Sequence, residues 1–582
     1  MLKNYLTAIF IGVSLLASNV VHARAFTIQL NIPELTSTQK QIVLENISLY
    51  RQKISPLLSD DYVTRLYLNG KQEIITTLQV FGFYEAKVES DLDKGDDRWT
   101  ITYNVDAGQP VIVEDVELVI KGEGDTDREF ITWREKFPIQ AGDRLNHDLY
   151  EQAKSQLQNM FVERGYFNGR LIRHEIQLKL KQHSGKIVIH VDTGPRFRFG
   201  DVTFIQETFD NDYLRRFIPF SRGEIFLASE LSKLQKNLAV SGEFKTIEIV
   251  PLPESATNNL VPIRVMLTPR KPLRYKIGGG YGTDTGVRGR IGVERRQITD
   301  TGHRADAEAF ISRILRTVTA HYRIPLTKPA TDGLVFTGEH KREETDTSFS
   351  ESNTVSASHV YGLKSWLRTT SLSYLKENYA AGSEANKSNL VIPSINFLFD
   401  PEKERRPTLY GLRWHFDLNL KGAHKDLASD VSFVQGKLFG EFRYQLTRKL
   451  SLVARGDIGG SLVDDFASLP VSQRFFAGGD YSIRGFDYKS LGPTDENGEV
   501  VGGTHLLVGS IEGQYMFIPN WDVAMFYDTG NAYDKDQFEP EQGAGAGIGY
   551  RLPFGIVRVY GAVALSKSDN PTRLHVIVSA DW

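Results

Sequence analysis

From about Arg270 to Trp582 the hydrophobic period is two, sustained over long stretches. Trp414, Phe416, Leu418 and Leu420 alternate with His415, Asp417, Asn419 and Lys421. Phe442, Tyr444 and Leu446 alternate with Glu441, Arg443 and Gln445, and Leu507, Ile511 and Tyr515 with Ser510, Glu512 and Gln514. Trp521, Val523, Met525 and Tyr527 alternate with Asp522, Ala524, Phe526 and Asp528. One apolar row, one largely polar row and aromatics near strand ends form the pattern of strands that cross an outer membrane as a closed barrel. A soluble sandwich also alternates, but with shorter strands and a polar outer face. Beyond the N-terminus no segment is apolar and uncharged over the ~20 residues a spanning helix needs. Only helices and closed barrels satisfy their backbone polar groups in hydrocarbon, so a membrane-embedded form of this chain must be a barrel.

Residues 271–582 number 312. At ~20 residues per strand and connection they predict about 16 antiparallel strands, an even number that returns both barrel ends to one side. The final strand aligns Leu574, Val576, Val578, Ala580 and Trp582 in one row, with His575, Ser579 and Asp581 opposite. A lipid-facing row ending on an aromatic looks like a barrel-insertion signal.

The N-terminus reads as an address. Lys3 precedes the uncharged, mostly apolar run Tyr5–Leu16, and Ala23-Arg24-Ala25 offers small residues for cleavage, so residues 1–25 are expected to be a secretory signal peptide. The alternative, a membrane anchor, is opposed by the shortness of the apolar run. There are 69 Lys+Arg against 72 Asp+Glu, without the basic excess expected of a nucleic-acid binder. With no cysteine, disulfides and thiol chemistry are excluded.

Three internal repeats organise the front half. Gly82-Phe83-Tyr84, Gly165-Tyr166-Phe167 and Gly242-Glu243-Phe244 each follow a helical pattern. The apolar faces are Ile74, Ile75, Leu78 and Phe81; Leu149, Ala153, Leu157 and Met160; and Leu227, Leu231, Leu234 and Leu238. Glycine then stops the helix. A two-period strand follows in each unit, through Ile101, Tyr103 and Val105; Ile187, Ile189 and Val191; or Ile263, Val265 and Leu267. The first two strands end in Asp106-Ala107-Gly108 and Asp192-Thr193-Gly194, and Gly142-Asp143-Arg144-Leu145 matches Gly223-Glu224-Ile225-Phe226. These are three small α+β modules, expected at 26–110, 111–194 and 195–270. The Gly-aromatic motif reads most simply as scaffolding. The exposed edge of each short sheet is where an extended peptide could add through main-chain hydrogen bonds.

No hydrolase elbow, Walker loop or metal-spaced histidine cluster is visible, so neither a catalytic residue nor a cofactor or metal is expected. Gly543-Ala544-Gly545-Ala546-Gly547-Ile548-Gly549 imitates a dinucleotide loop, but its glycines fall on every second residue and Pro553 denies it a following helix. On a barrel strand these glycines share one face and leave room for something packed inside. The run Lys341-Arg342-Glu343-Glu344 reads as a solvated loop.

The informative segment is Arg474-Phe475-Phe476-Ala477-Gly478-Gly479-Asp480, followed by Ser482-Ile483-Arg484-Gly485-Phe486, in a long connection between two strands. Its glycines, aromatics and arginine suit packing better than solvent. An arginine removed from water needs an anion. Glu512 and Asp528 lie on the polar rows of the next strands, the latter in Phe526-Tyr527-Asp528-Thr529-Gly530. Bidentate guanidinium–carboxylate pairing would then clamp the loop inside the lumen. The competing reading is a solvated surface arginine.

Ile483-Arg484-Gly485-Phe486 with the downstream Phe-x-Asp-x-Gly strand resembles the superfamily of POTRA-bearing outer-membrane assembly and secretion barrels, and the modules resemble POTRA domains. Three modules, a 16-strand-sized barrel and the 474–480 stretch are similar to its TamA branch, the outer-membrane subunit of the translocation and assembly module. The main assembly-machine subunit usually carries five modules, and two-partner secretion transporters two.

The resemblance implies that Arg484, Gly485 and Phe486 form the lumen-loop motif, with Asp528 and Glu512 as the arginine's partners and Phe526 and Gly530 supporting them. It implies a lateral seam between the first strand, with Gly278, Gly279 and Gly280, and the last, with Val578 and Trp582. It implies a non-enzymatic insertase whose modules lie in the periplasm of a Gram-negative bacterium. Unfolded outer-membrane and autotransporter clients, outer-membrane lipid and a TamB-like inner-membrane-anchored protein are its implied partners. A two-partner-secretion transporter or a lipid-transport-linked barrel is the alternative. Relatives often have glycine in the last strand, and none occurs in Arg573–Trp582, which puts a kinked, open last strand in doubt.

Overall fold

Where amphipathic helix and two-period strand alternate, the chain folds as small layered modules. The computed structural model describes residues 25–52, 60–95, 98–363, 365–382, 384–399, 411–535, 537–553 and 555–581. Residues 1–24 of the expected signal peptide, and Trp582, lie outside these. The first module comprises β1 (Ala25–Asn31), α1 (Ser37–Asn46), α2 (Ser48–Arg51), α3 (Asp60–Val80), β2 (Lys87–Lys94) and β3 (Arg98–Asp106). The second comprises β4 (Ile112–Lys121), α4 (Arg128–Glu135), α5 (His147–Glu163), β5 (Arg170–Lys179) and β6 (Ser184–Asp192). The third comprises β7 (Arg198–Ile205), α6 (Asn211–Arg215), α7 (Ala228–Ser241), β8 (Phe244–Pro251) and β9 (Leu260–Pro269).

Each sheet places its last strand in the centre: β1-β3-β2, β4-β6-β5 and β7-β9-β8. In the first two modules the central strand pairs parallel with the first strand and antiparallel with the second. That centrality explains why Ile101, Tyr103, Val105, Ile187, Ile189 and Val191 are all buried.

The repeated glycines end their helices in the left-handed region, with φ of 85° at Gly82, 79° at Gly165 and 73° at Gly242. They also join modules. Val111 N donates to the Gly82 carbonyl, and Phe197 N to the Gly165 carbonyl, each at 2.8 Å. A Cβ at Gly82 would lie 2.6 Å from the Leu145 carbonyl oxygen, and one at Gly165 2.8 Å from the Phe226 Cβ. Leu145 and Phe226 close the two Gly-x-x-apolar repeats, so both short motifs serve one joint. The residue after the glycine is a buried aromatic in the first two modules, Phe83 and Tyr166, and a buried carboxylate, Glu243, in the third.

The joint after Gly165 has a polar centre. Asp127 caps α4 through Glu129 N and is buried. Its carboxylate lies 2.8 Å from Arg164 Nη2 and 3.0 Å from Arg196 Nη1, and accepts from Tyr166 OH at 3.1 Å.

The remaining strands close into a 16-stranded antiparallel barrel, neighbour by neighbour in chain order. They are β10 (Leu273–Gly282), β11 (Gly286–Arg295), β12 (Arg304–Ile311), β13 (Leu315–Pro325), β14 (Asp332–Glu344), β15 (Ser348–Leu363), β16 (Trp366–Ala381) and β17 (Glu384–Phe399). The second half is β18 (Gly411–Ala423), β19 (Phe433–Gln445), β20 (Leu450–Val463), β21 (His505–Ile518), β22 (Trp521–Tyr533), β23 (Glu541–Leu552), β24 (Gly555–Ala564) and β25 (Thr572–Asp581). Among the described residues no helix is long and apolar enough to cross a membrane.

The two rows of each strand separate as their chemistry demands. On β22, Trp521, Val523, Met525 and Tyr527 face outward and exposed, while Asp522, Ala524, Phe526 and Asp528 are buried against the lumen contents. One reading is corrected. Lys341-Arg342-Glu343-Glu344 is not a solvated loop but the end of β14. Glu343 is buried there, 2.5 Å from Lys489 and 2.9 Å from Lys341. A mixed-charge run reads as solvated only when nothing fills the space its polar row faces, and here a loop fills it.

Barrel closure is uneven. β10 pairs with β11 over ten residues, from Leu273 to Gly282, but with β25 over only five, from Gly278↔Asp581 to Gly282↔Ile577. Leu273–Ile277, the part of β10 next to the third module, has no β25 partner among the described residues. β25 itself pairs with β24 over nine residues without a register shift.

Candidate functional site: the lumen loop and its clamp

The connection between β20 and β21, residues 464–504, enters the barrel. Its aromatic and aliphatic residues form a small core with the lumen wall: Phe475, Ile483, Phe486 and Leu491 pack with Leu506 and Val508 of β21. Gly485, at φ 101°, takes a turn closed to most other residues. That turn aims the flanking Arg484 and Phe486 at the wall.

Arg484 is 1% exposed. Its Nε and Nη2 donate to the two oxygens of Asp528 at 2.7 and 2.8 Å, and its Nη1 donates to Glu512 Oε2 at 2.5 Å. Nη2 also reaches Ser510 Oγ at 3.2 Å, and the Arg484 backbone N donates to Asp528 Oδ2 at 3.0 Å. The guanidinium carbon lies 3.5 Å from the Phe526 ring centroid and 4.8 Å from that of Tyr560. The Tyr560 hydroxyl completes the shell by donating to Glu512 at 3.0 Å. Alternation on β21 and β22 puts Glu512, Phe526 and Asp528 on the lumen face, so the strand period builds the receptor for a cation. Removing a guanidinium and two carboxylates from water is costly, and only such complete pairing compensates.

Gly530 lies on the same strand at φ 143°, where a Cβ would collide with the Leu507 carbonyl oxygen of β21. The glycine row of β23 faces inward. A Cβ at Gly543 would collide with the Arg484 carbonyl oxygen, and one at Gly547 with the Tyr560 ring. Of the seam residues, Gly278, Gly279 and Gly280 pair with Asp581, Ala580 and Ser579, and Val578 pairs with Tyr281. Arg288 of β11 donates to the Val578 carbonyl at 3.4 Å.

Sequence reasoning missed a second set of anchors. Glu377 of β16, fully buried, accepts from Ser350 Oγ at 2.8 Å and from Ser472 N of the loop at 3.1 Å. Lys421 of β18 donates to Gln473 Oε1 at 2.6 Å. It also missed Asp284, Asp480 and His575, all buried, whose ligand-type atoms lie within 4.8 Å of one another. That spacing would admit a metal ion, but hydrogen bonds join the three residues directly. His575 was readable as a polar-row residue of the last strand; its partners lie far away in sequence.

Helix-backed three-stranded modules leading into a 16-stranded barrel with a clamped inner loop define a POTRA-module outer-membrane barrel protein. Residues 411–579 match the Omp85 superfamily domain, residues 29–107 the POTRA domain TamA domain 1, and residues 117–194 the POTRA model described as surface antigen variable number repeat. The chain therefore carries an Omp85 superfamily domain together with a TamA-type POTRA domain, the domain pairing of POTRA–barrel proteins. It is 22% identical over 468 residues to the outer membrane protein assembly factor BamA of Neorickettsia risticii (strain Illinois), covering 74% of this chain and 61% of the relative. It is 29% identical over 140 residues to BamA of Nitratidesulfovibrio vulgaris, 23% of this chain and 18% of that one. The chain thus spans less than two thirds of the length of either relative. The crystal structure of BamA from Haemophilus ducreyi lacking POTRA domains 1-3 shares the fold at a TM-score of 0.56 and 14% identity, over 96% of this chain and all of that one.

Proposed function

We propose that this chain is a non-enzymatic insertase of the Gram-negative outer membrane, acting in the TamA manner. Its modules receive unfolded barrel clients, autotransporters among them, in the periplasm, and a TamB-like partner anchored in the inner membrane feeds them. The barrel seam templates client strands and releases them sideways into lipid.

The observation that carries this reading is the short seam. Among the described residues, five of β10, Leu273–Ile277, present main-chain donors and acceptors without a β25 partner. An unpaired strand edge accepts another strand through those groups. In hydrocarbon each unpaired group costs several kcal/mol, so a client strand that pairs there is stabilised until its own barrel closes. Along the chain the edge follows β9 after three intervening residues.

Depletion of the protein should remove a defined set of outer-membrane barrels from a proteomic census. A disulfide between cysteines placed at Tyr281 and Val578, which face each other across the seam, should block client assembly under oxidising conditions and release it on reduction. Undiminished assembly in the crosslinked state would overturn the seam mechanism.

A further inference from the structure

The Gly282 end of the seam is held by a network that includes the lumen loop. β10 ends at Gly282, and β25 continues past it toward its own start at Thr572. In that zone Val576 N donates to Thr283 Oγ1 at 2.6 Å and Thr283 N to the Val576 carbonyl at 3.1 Å. Asp284, in the β10–β11 turn, then takes the loop and the last strand together. Asp480 N donates to Asp284 Oδ2 at 2.6 Å, and Arg573 Nη2 of β25 lies 3.4 Å from Asp284 Oδ1.

The loop is bound to β25 as well. His575 Nδ1 lies 2.5 Å from Asp480 Oδ1, and Gly485 N donates to His575 Nε2 at 2.9 Å. A backbone N–H can only donate, so Nε2 is the bare nitrogen and Nδ1 carries the proton that faces Asp480. Both ring nitrogens of a fully buried histidine are thereby committed to the loop. Arg573 also pairs with Asp487 of the loop.

The loop is tied to strands on both sides of the seam. On the C-terminal side it is fixed by Arg484 to β21 and β22 and by His575 and Arg573 to β25. On the N-terminal side Tyr488 and Lys489 hold it to Glu343 of β14, and at the seam itself its tie runs through Asp284.

We propose that Asp284 is the latch of the lateral seam: the seam opens by release of Asp480 N and Arg573 from the Asp284 carboxylate. This rests on the seam reading above and adds the residue that controls it. The first and last barrel strands, paired over five residue pairs among the described residues, need such a tie, because the other β10 neighbour is held over ten.

The test measures the seam itself. The chain has no cysteine, so an introduced pair reports alone. Tyr281→Cys with Val578→Cys spans the seam, and Tyr281→Cys with Val287→Cys spans the β10–β11 control. The full chain is folded into phosphatidylethanolamine–phosphatidylglycerol vesicles, checked for heat-modifiable mobility, and oxidised with diamide, which needs no metal. Asp284→Ala should lower the rate of seam disulfide formation at least threefold and leave the control pair unchanged. Asp284→Asn, which keeps an acceptor but loses the charge facing Arg573, should fall between. Equal seam rates in all three proteins would overturn the latch. A wild-type rate that falls on adding chelator would overturn it in favour of a bound ion. Client assembly is scored separately: a loosened seam with unchanged assembly supports the latch and counts against the insertase reading.

Discussion

The carbonyl oxygen of Arg484 occupies the space where a side chain at Gly543 would begin. The loop's arginine and the glycine row of β23 thus fit as projection and recess, with the carboxylates of Glu512 and Asp528 supplied by β21 and β22 beside them.

Enlarging the recess residue should therefore unseat the loop without opening the barrel. Gly543→Val forces backbone out of contact, and overpacking of this kind costs ~1–3 kcal/mol. The expected result is a heat-modifiable barrel whose 464–504 loop is cut several-fold faster by protease added to vesicles. Unchanged cleavage would show that the glycine row is incidental.

Removing the guanidinium strips buried Asp528 of its cation and leaves Glu512 with Tyr560, Gln514 and Arg558 alone, a loss of ~3–5 kcal/mol for breaking one partner of a buried pair. Arg484→Ala should insert normally yet assemble clients poorly. Arg484→Lys should rescue little, because an ammonium cannot reach Asp528 twice and Glu512 once in the same plane. Assembly kinetics of an autotransporter in a strain carrying each variant decide this. Wild-type rates in the alanine variant would sink the clamp's functional role.

The second module should depend on Asp127. Burial alone would raise its pKa, but the Arg164 hydrogen bond, the Glu129 N–H and Arg196 outweigh that and hold the carboxyl below its ordinary value. The sign follows: a depressed carboxyl contributes stability above its unfolded value, and that contribution is lost as pH falls through the folded one. Asp127→Asn should make thermal unfolding of the module arm easier at neutral pH, with the difference from wild type shrinking at strongly acidic pH. A pH-independent difference would place the effect in packing instead.

Glu243 should behave in the opposite sense. Burial pushes its carboxyl up to about 7, with Arg304 and Arg296 pulling it down and Glu294 pushing it up. One of its oxygens is buried without a hydrogen-bond partner. A raised carboxyl contributes stability at low pH that fades as pH rises from ~4.5 through the folded value. Glu243→Gln should equal wild type near pH 4 and exceed it at pH 8, by ~3 kcal/mol at most. Proteolytic susceptibility of the 241–270 region against pH measures it; parallel curves for the two proteins would contradict the assignment.

Local chemistry made much of this protein legible. The helix-stopping glycines at 82, 165 and 242, the central strands through Ile101 and Ile187, and the two-period rows of the barrel follow from short-range periodicity. The 16 strands follow from spacing, and the Arg484–Asp528–Glu512 neighbourhood from the chemistry of a buried cation. What sequence alone did not determine is whatever depends on closure. The charges at 341–344 face a filled lumen because a loop 145 residues further along the chain reaches Glu343. Asp284, Asp480 and His575 meet because the first strand returns beside the last, across 289 residues between Asp284 and Arg573. Side-chain period is a property of the local backbone and survives in any fold. Adjacency across a closed barrel is created by the final strand pairing, and no window of sequence contains it.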